Sequence, residues 1–200
     1  VYIPLAIGII NRKKVKNDFP FLLYLAIVSF VLETVIISLH TYHINNLVFL
    51  RASTIAQFVL LSLFYNKSLV PSKVVTFIRI FIVIFLAVAL FDLYKNGLSA
   101  MDDMSLTFAS IVLMLYSLFT FYHIMQNPVQ LNILSDPLFW FNTAVLIYFS
   151  GCLFLFLFSS YILTYSPKAR YELWGINSVL NIIFNSLTAT GFWKTRHRQI

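Results

Sequence analysis

The sequence predicts an all-α, polytopic transmembrane helical bundle of seven spans, N-out/C-in, with its first span truncated. Three observations predict it: a composition too apolar for a water-facing surface, a recurrence of apolar runs of spanning length, and a one-sided distribution of Lys and Arg. The chain is 60% hydrophobic, 18% aromatic and 10% charged, with a mean hydropathy of +0.86. Soluble domains carry about 25% charged and about 45–50% apolar residues. A 200-residue globule holding 21 Phe lacks the polar residues to cover its surface, so lipid is the expected solvent for much of it.

A helix needs about 20 apolar residues to cross a hydrocarbon core of about 30 Å. The first run, residues 1–10 (VYIPLAIGII), would be about 15 Å long as a helix and cannot span. It is expected to be the inner half of a first span, with residues missing upstream or removed by processing. The run itself is not expected to be a signal peptide, since neither a basic n-region nor a small-residue cleavage site accompanies it. The basic segment Asn11–Asp18 (NRKKVKND) reads as a loop, followed by the second span at 19–40 and the break HTYHINN. The third span covers 47–65, ended by NKSLVPSK, and the fourth covers 74–93, ended by DLYKNGLSAMDDMS. The fifth, 106–125, leads through QNPVQLNILSDP to the sixth, 138–165; SPKARYE then reads as a break before the seventh, 173–193, and the tail KTRHRQI. All of it forms one transmembrane domain, residues 1–200. Barrel strands would alternate with period two over about ten residues, and no such alternation occurs. Helices satisfy their own backbone groups in lipid, which leaves them as the spanning element.

Orientation follows from the 14 Lys and Arg residues. Placing NRKKVKND inside puts Arg12, Lys13, Lys14, Lys16, Lys67, Lys73, Arg79, Lys194, Arg196 and Arg198 on the inner side, leaving only Arg51, Lys95, Lys168 and Arg170 outside. Cytoplasmic loops of membrane proteins are enriched in these residues, so the C-terminus is expected in the cytoplasm. The net charge of +7 does not indicate nucleic acid, because the basic residues flank apolar runs, where they meet anionic head groups. Cys152 is the single cysteine and cannot form an intramolecular disulfide.

Ionisable groups inside a span are costly and mark candidate sites. Glu33 lies well inside the second span, in its outer half. His40 is seven residues on and shares its helical face, and His43 follows near the outer mouth. The third span adds Arg51 at that level and Gln57 deeper, and the fourth brings Asp92 to its outer end. Glu33, His40, Arg51 and Gln57 are therefore candidates for an outward-facing polar pocket for a small ligand, ion or lipid head group. The reading set against it is a structural role, with Glu33 protonated or paired with Arg51 and the histidines at the interface. In the seventh span Asn177, Asn181 and Asn185 recur every four residues as one stripe, with Ser178 and Ser186 beside it. Lipid would not tolerate three amides, so this face looks into the bundle, as interhelical hydrogen-bond glue or as a cavity wall. Trp140, Trp174 and Trp193 read as interfacial belts.

No HExxH, GxSxG, P-loop or CxxC motif occurs, and no lysine lies between Leu173 and Trp193 to carry a retinal Schiff base. Neither a catalytic residue, nor a metal, nor a cofactor is assigned. Three stretches, taken together, resemble a family of uncharacterised bacterial seven-span integral membrane proteins. They are NNL with FVLLSLFY in the third span, DPLFWFNTAVLIYFSGCLFLF from Asp136 to Phe156, and NSVLNIIFNSLTATGFW in the seventh span. The most specific part is Pro137, Phe139 and Trp140 opening the sixth span, followed by LIYFSG. The resemblance covers nearly the whole chain and implies the topology and a bacterial cytoplasmic membrane, but no chemistry. Members of that family often carry Glu where this chain has Gln57, and an amide cannot act as a general acid or base.

The expected function is that of a non-enzymatic, signalling membrane component, a sensor-like or accessory subunit. It would pass the state of an outer pocket to a cytoplasmic or membrane protein partner through the basic tail Lys194, Arg196 and Arg198. The alternatives are an intramembrane lipid-modifying enzyme using Glu33 as acid or base with His40 assisting, and a small-solute carrier with the Asn stripe as its wall.

Overall fold

The computed structural model describes residues 2–42, 44–68, 72–98, 103–126, 133–165 and 167–195. They form helices α1 (Tyr2–Ile10), α2 (Arg12–Asp18), α3 (Pro20–Thr41), α4 (Leu47–Ser68), α5 (Ser72–Asn96), α6 (Asp103–Gln126), α7 (Pro137–Tyr165) and α8 (Pro167–Thr195), with a 3₁₀ turn at Ile133–Ser135. No strand occurs among the described residues. Five segments, Pro20–Thr41, Leu47–Ser68, Val75–Asn96, Met104–Gln126 and Pro137–Leu155, are long and apolar enough to cross a membrane, which marks an integral membrane protein. α1, with 9 residues, is too short to cross by itself. α8 is 29 residues long, about 43 Å at the helical rise, but its polar start and its asparagines make it less apolar than the five.

Two segments expected to be loops are helical. The basic stretch Asn11–Asp18 continues the turn of α1: Asn11 N–H donates to Ile7 O at 3.0 Å and Val15 N–H to Asn11 O at 3.1 Å. Lys and Arg are good helix formers, and their charge ends an apolar run without ending the helix. The real break is at Phe19, whose φ of −132° and ψ of 53° leave the helical region because the ring of Pro20 disfavours it in the preceding residue. Pro20 then occupies the first turn of α3, where its missing N–H costs nothing. In the same way α8 starts at Pro167 and runs through residues read as the break SPKARYE.

Other ends follow from local chemistry. Asn45 Oδ1 accepts from Leu47 N–H at 3.0 Å and starts α4. Asp136 Oδ1 accepts from Leu138 N–H at 3.1 Å and starts α7, with Pro137 in its first turn. α5 stops at Gly97, which takes a φ of 74° and donates its N–H to Leu93 O at 2.9 Å, a left-handed terminus that glycine adopts without steric cost.

Each long helix packs on the next in sequence, and α8 returns to α1, which also packs on α3. The result is a closed ring, α1–α3–α4–α5–α6–α7–α8, with α4 touching α6 across it and α2 lying against α3 and α8. The ring is tightest at the end that carries α2. There the rings of Phe19, Phe64, Phe141 and Phe192 interlock: Phe141 lies 5.0 Å from Phe19, 6.3 Å from Phe64 and 5.1 Å from Phe192, centroid to centroid. Gly191 is what lets Phe141 in, since a Cβ there would overlap its ring. Asn11 Nδ2 donates to Phe192 O at 3.3 Å, fastening the α1–α2 junction to the last turns of α8.

Packing loosens toward the opposite end. Among the described side chains, α3 has none fully buried beyond Ala26, and α8 has none before Thr188. The tight end also gathers exposed Arg12, Lys13, Lys14, Lys67 and Arg79; it is called the basic end below.

Candidate functional site

The half of the bundle away from the basic end holds a polar contact between α7 and α8. On α7, Tyr148 and Cys152 are four residues apart and share a face. Cys152 Sγ–H donates to Asn177 Oδ1 of α8 at 3.4 Å. Glu33 of α3 is half-buried. By the helical rise Glu33 sits about 20 Å along α3 from Pro20, well inside its apolar run.

α8 brings its asparagines to α7 through a close approach at Gly151, where a Cβ would come within 2.7 Å of Leu180. Phe184, one turn on, packs its ring 5.3 Å from that of Tyr148. Asn185 Nδ2 donates to Asn181 O at 2.8 Å and also to Asn181 Oδ1. Part of the stripe is thus consumed within α8, while Asn177 reaches across to α7.

The four residues expected to form an outer pocket are distributed differently. Arg51 is buried and pairs with Asp92 of α5, Nη1 to Oδ2 at 3.1 Å, with the two side chains 9% and 1% exposed. Asn96 Nδ2 donates to the other carboxylate oxygen, Asp92 Oδ1, at 2.7 Å. The carboxylate that meets Arg51 is therefore Asp92 rather than Glu33. Gln57 is half-buried on α4 and His40 is exposed at the end of α3. His43 lies outside the described residues, as do Arg196 and Arg198 of the tail; Lys194 is half-buried at the end of α8. Among the described residues no three His, Cys, Asp or Glu side chains converge as metal ligands.

A second polar node escaped the sequence reading. Asn142 of α7, Tyr65 of α4 and Ser117 of α6 are all fully buried. The Tyr65 hydroxyl donates to Asn142 Oδ1 at 2.9 Å, and Asn142 Nδ2 donates to Ser117 O at 3.0 Å. Ser117 Oγ lies 2.9 Å from Asn142 Oδ1 and 3.0 Å from Asn142 O. The signal was an amide in the apolar run FWFNTAVLIYFSG, since a lone Asn in a span marks hydrogen bonding between helices. Replacing Asn142 with Leu is expected to cost about 1–2 kcal/mol, with Tyr65→Phe costing less because Ser117 still serves the amide. Unfolding of the two variants in a common detergent checks the order.

At the basic end a cavity of about 270 Å³ is lined by Asn17, Asp18, Phe19, Lys67, Ser68 and Leu138. Lys67 Nζ donates to Asn17 O at 2.5 Å across it, tying α4 to the end of α2. Compared with known family models, curated proteins and solved structures, the chain matches none.

Proposed function

We propose that the chain is a non-enzymatic component of a bacterial cytoplasmic membrane, sensor-like or accessory to a partner protein. In this reading a ligand occupies the polar half around Glu33, and α7 and α8 carry its presence to the basic end. One observation carries it. The bundle is closed by interlocked aromatic rings at the basic end, while a half-buried carboxyl, Glu33, and the Cys152–Asn177 bond lie in the looser half. A rigid end and an adaptable polar end on the same two long helices suit transmission better than turnover, which needs a proton donor and acceptor beside a reacting bond.

Seven spans with the N-terminus outside and the C-terminus inside complete the reading. Ring closure by α1 and α8 supports counting both as spans, because Asn177 meets Cys152 of α7 and Asn185 is satisfied by Asn181 within α8. Clustering of Arg12, Lys13, Lys14, Lys67 and Arg79 at one end supports placing that end in the cytoplasm. Reporter fusions after Ile200 and within the Tyr42–Asn46 connection should report opposite sides; the same side for both sinks the topology.

The functional test compares wild type with Glu33→Gln in reconstituted vesicles. Labelled phospholipid should remain unmodified by either protein, while a spin label at Lys194→Cys, in a Cys152→Ser background, should change mobility on Glu33→Gln. Lipid turnover by wild type that Glu33→Gln abolishes would replace this reading with an intramembrane enzyme.

A further inference from the structure

We propose that the cavity at the basic end binds a phosphate group that carries its own ammonium, the chemistry of a phosphatidylethanolamine head or of soluble phosphoethanolamine. This site is separate from the polar half around Glu33 and lies toward the other end of the bundle.

Lys67 and Ser68 close the apolar segment Leu47–Ser68, Leu138 is the second residue of Pro137–Leu155, and Asn17, Asp18 and Phe19 directly precede Pro20–Thr41. The cavity therefore lies where three segments long enough to cross a membrane have their ends together, which is the depth of lipid head groups. The break between α2 and α3 makes room for it. Phe19 leaves helical geometry ahead of Pro20, and a corner stays open between the ends of α2 and α4 and the start of α7. Pockets for drug-sized ligands start at about 300 Å³, so a cavity of about 270 Å³ suits a head group.

The lining selects the ligand. Lys67 and Asp18 bring opposite charges to the same cavity, yet among the described residues the ion pair is Arg51 with Asp92, and these two do not close on each other. Lys67 Nζ donates to Asn17 O at 2.5 Å, which holds the ammonium at the cavity and uses one of its three donors. Ser68 adds a hydroxyl and Asn17 an amide. A simple anion would suit Lys67 but meet Asp18 with like charge, and a simple cation would do the reverse. A phosphate joined to an ammonium offers acceptors to Lys67 and donors to Asp18 at once. Phe19 and Leu138 give the rest of the wall an apolar surface, as the acyl side of a lipid requires. Exposed Arg12, Lys13 and Lys14 on α2 attract anionic lipid without discrimination, so a preference for the zwitterion distinguishes the cavity from its surroundings.

The experiment measures the affinity of the first bound ligand by native mass spectrometry of the delipidated full chain in detergent. Phosphatidylethanolamine is compared with phosphatidylglycerol of the same acyl chains, and soluble phosphoethanolamine with glycerol phosphate. The ammonium-bearing member is expected to bind about three- to fivefold more tightly, the worth of one partly exposed ion pair. Asp18→Asn should level the pair, Lys67→Gln should weaken both members, Lys67→Arg should keep the preference, and Lys13→Gln should weaken phosphatidylglycerol alone. A preference within the lipid pair only assigns the group to a lipid; one within the soluble pair only assigns it to a free phosphoamine. If Lys67→Gln loses its fold with the Asn17 bond, Asp18→Asn, which is isosteric and outside that bond, decides alone. The proposal is overturned if neither ammonium-bearing probe outbinds its counterpart or if the preference survives Asp18→Asn. It is equally overturned if a folded Lys67→Gln weakens the preferred probe no more than Lys13→Gln does.

Discussion

Replacing Asp92 with Ala is expected to destabilise the folded bundle by about 3–5 kcal/mol, the cost of leaving one member of a buried ion pair uncompensated. Arg51 and Asp92 are 9% and 1% exposed, so water cannot take over the lost partner. Asn96, which donates to Asp92 Oδ1 at 2.7 Å, loses its acceptor as well. The effect belongs to the broken pair rather than to the presence of charge. A buried pair exchanged as a unit for apolar residues of similar volume is often neutral or better. Arg51→Met combined with Asp92→Leu should therefore recover most of the stability that Asp92→Ala removes. Unfolding in mixed micelles measures both; a double variant as unstable as Asp92→Ala would show that the charges do more than satisfy one another.

The second large effect is expected at the basic end. Phe141→Ala should cost about 3–5 kcal/mol, because truncating a buried aromatic removes packing and leaves a cavity. Phe141 sits among Phe19, Phe64 and Phe192 on three other elements, which cannot all collapse into the space. Gly191→Leu should cost about 1–3 kcal/mol by overpacking, since even a Cβ there overlaps the Phe141 ring. The two variants act on one volume, so Phe141→Ala with Gly191→Leu should be less damaging than the sum of the singles. Additive costs in a double-mutant cycle would show that Gly191 and Phe141 do not share the site.

How much of this was legible in the sequence depends on which interaction decided each feature. Helices in the apolar runs were legible because length and hydropathy suffice, and five of them are long and apolar enough to cross a membrane. Polarity misled at both ends of the chain. Asn11–Asp18 and Pro167–Glu172 leave the apolar pattern yet keep helical hydrogen bonding, since hydropathy reports the preferred solvent and not the backbone. Glu33 could be singled out because an acid within an apolar run is rare. The Cys152–Asn177 contact could not, since Cys152 passes as an ordinary apolar-run residue until α7 is set beside α8. The partner of Arg51 was equally hidden: Asp92 is 41 residues away, and only the packing of α5 on α4 selects it over Glu33.

Ring closure also sets a schedule. α1 packs on α8, and Gly8 and Asn11 touch Phe192, so during synthesis α1 finds part of its seat only when α8 arrives. At about 5–20 residues per second, that wait is on the order of ten to forty seconds. During it α1 and the positively charged turn after it have only α3 to lean on. The seam between α1 and α8 is thus sealed after the contacts of α3 with α4 and of α6 with α7, and it is a place where a membrane insertion chaperone would have much to protect.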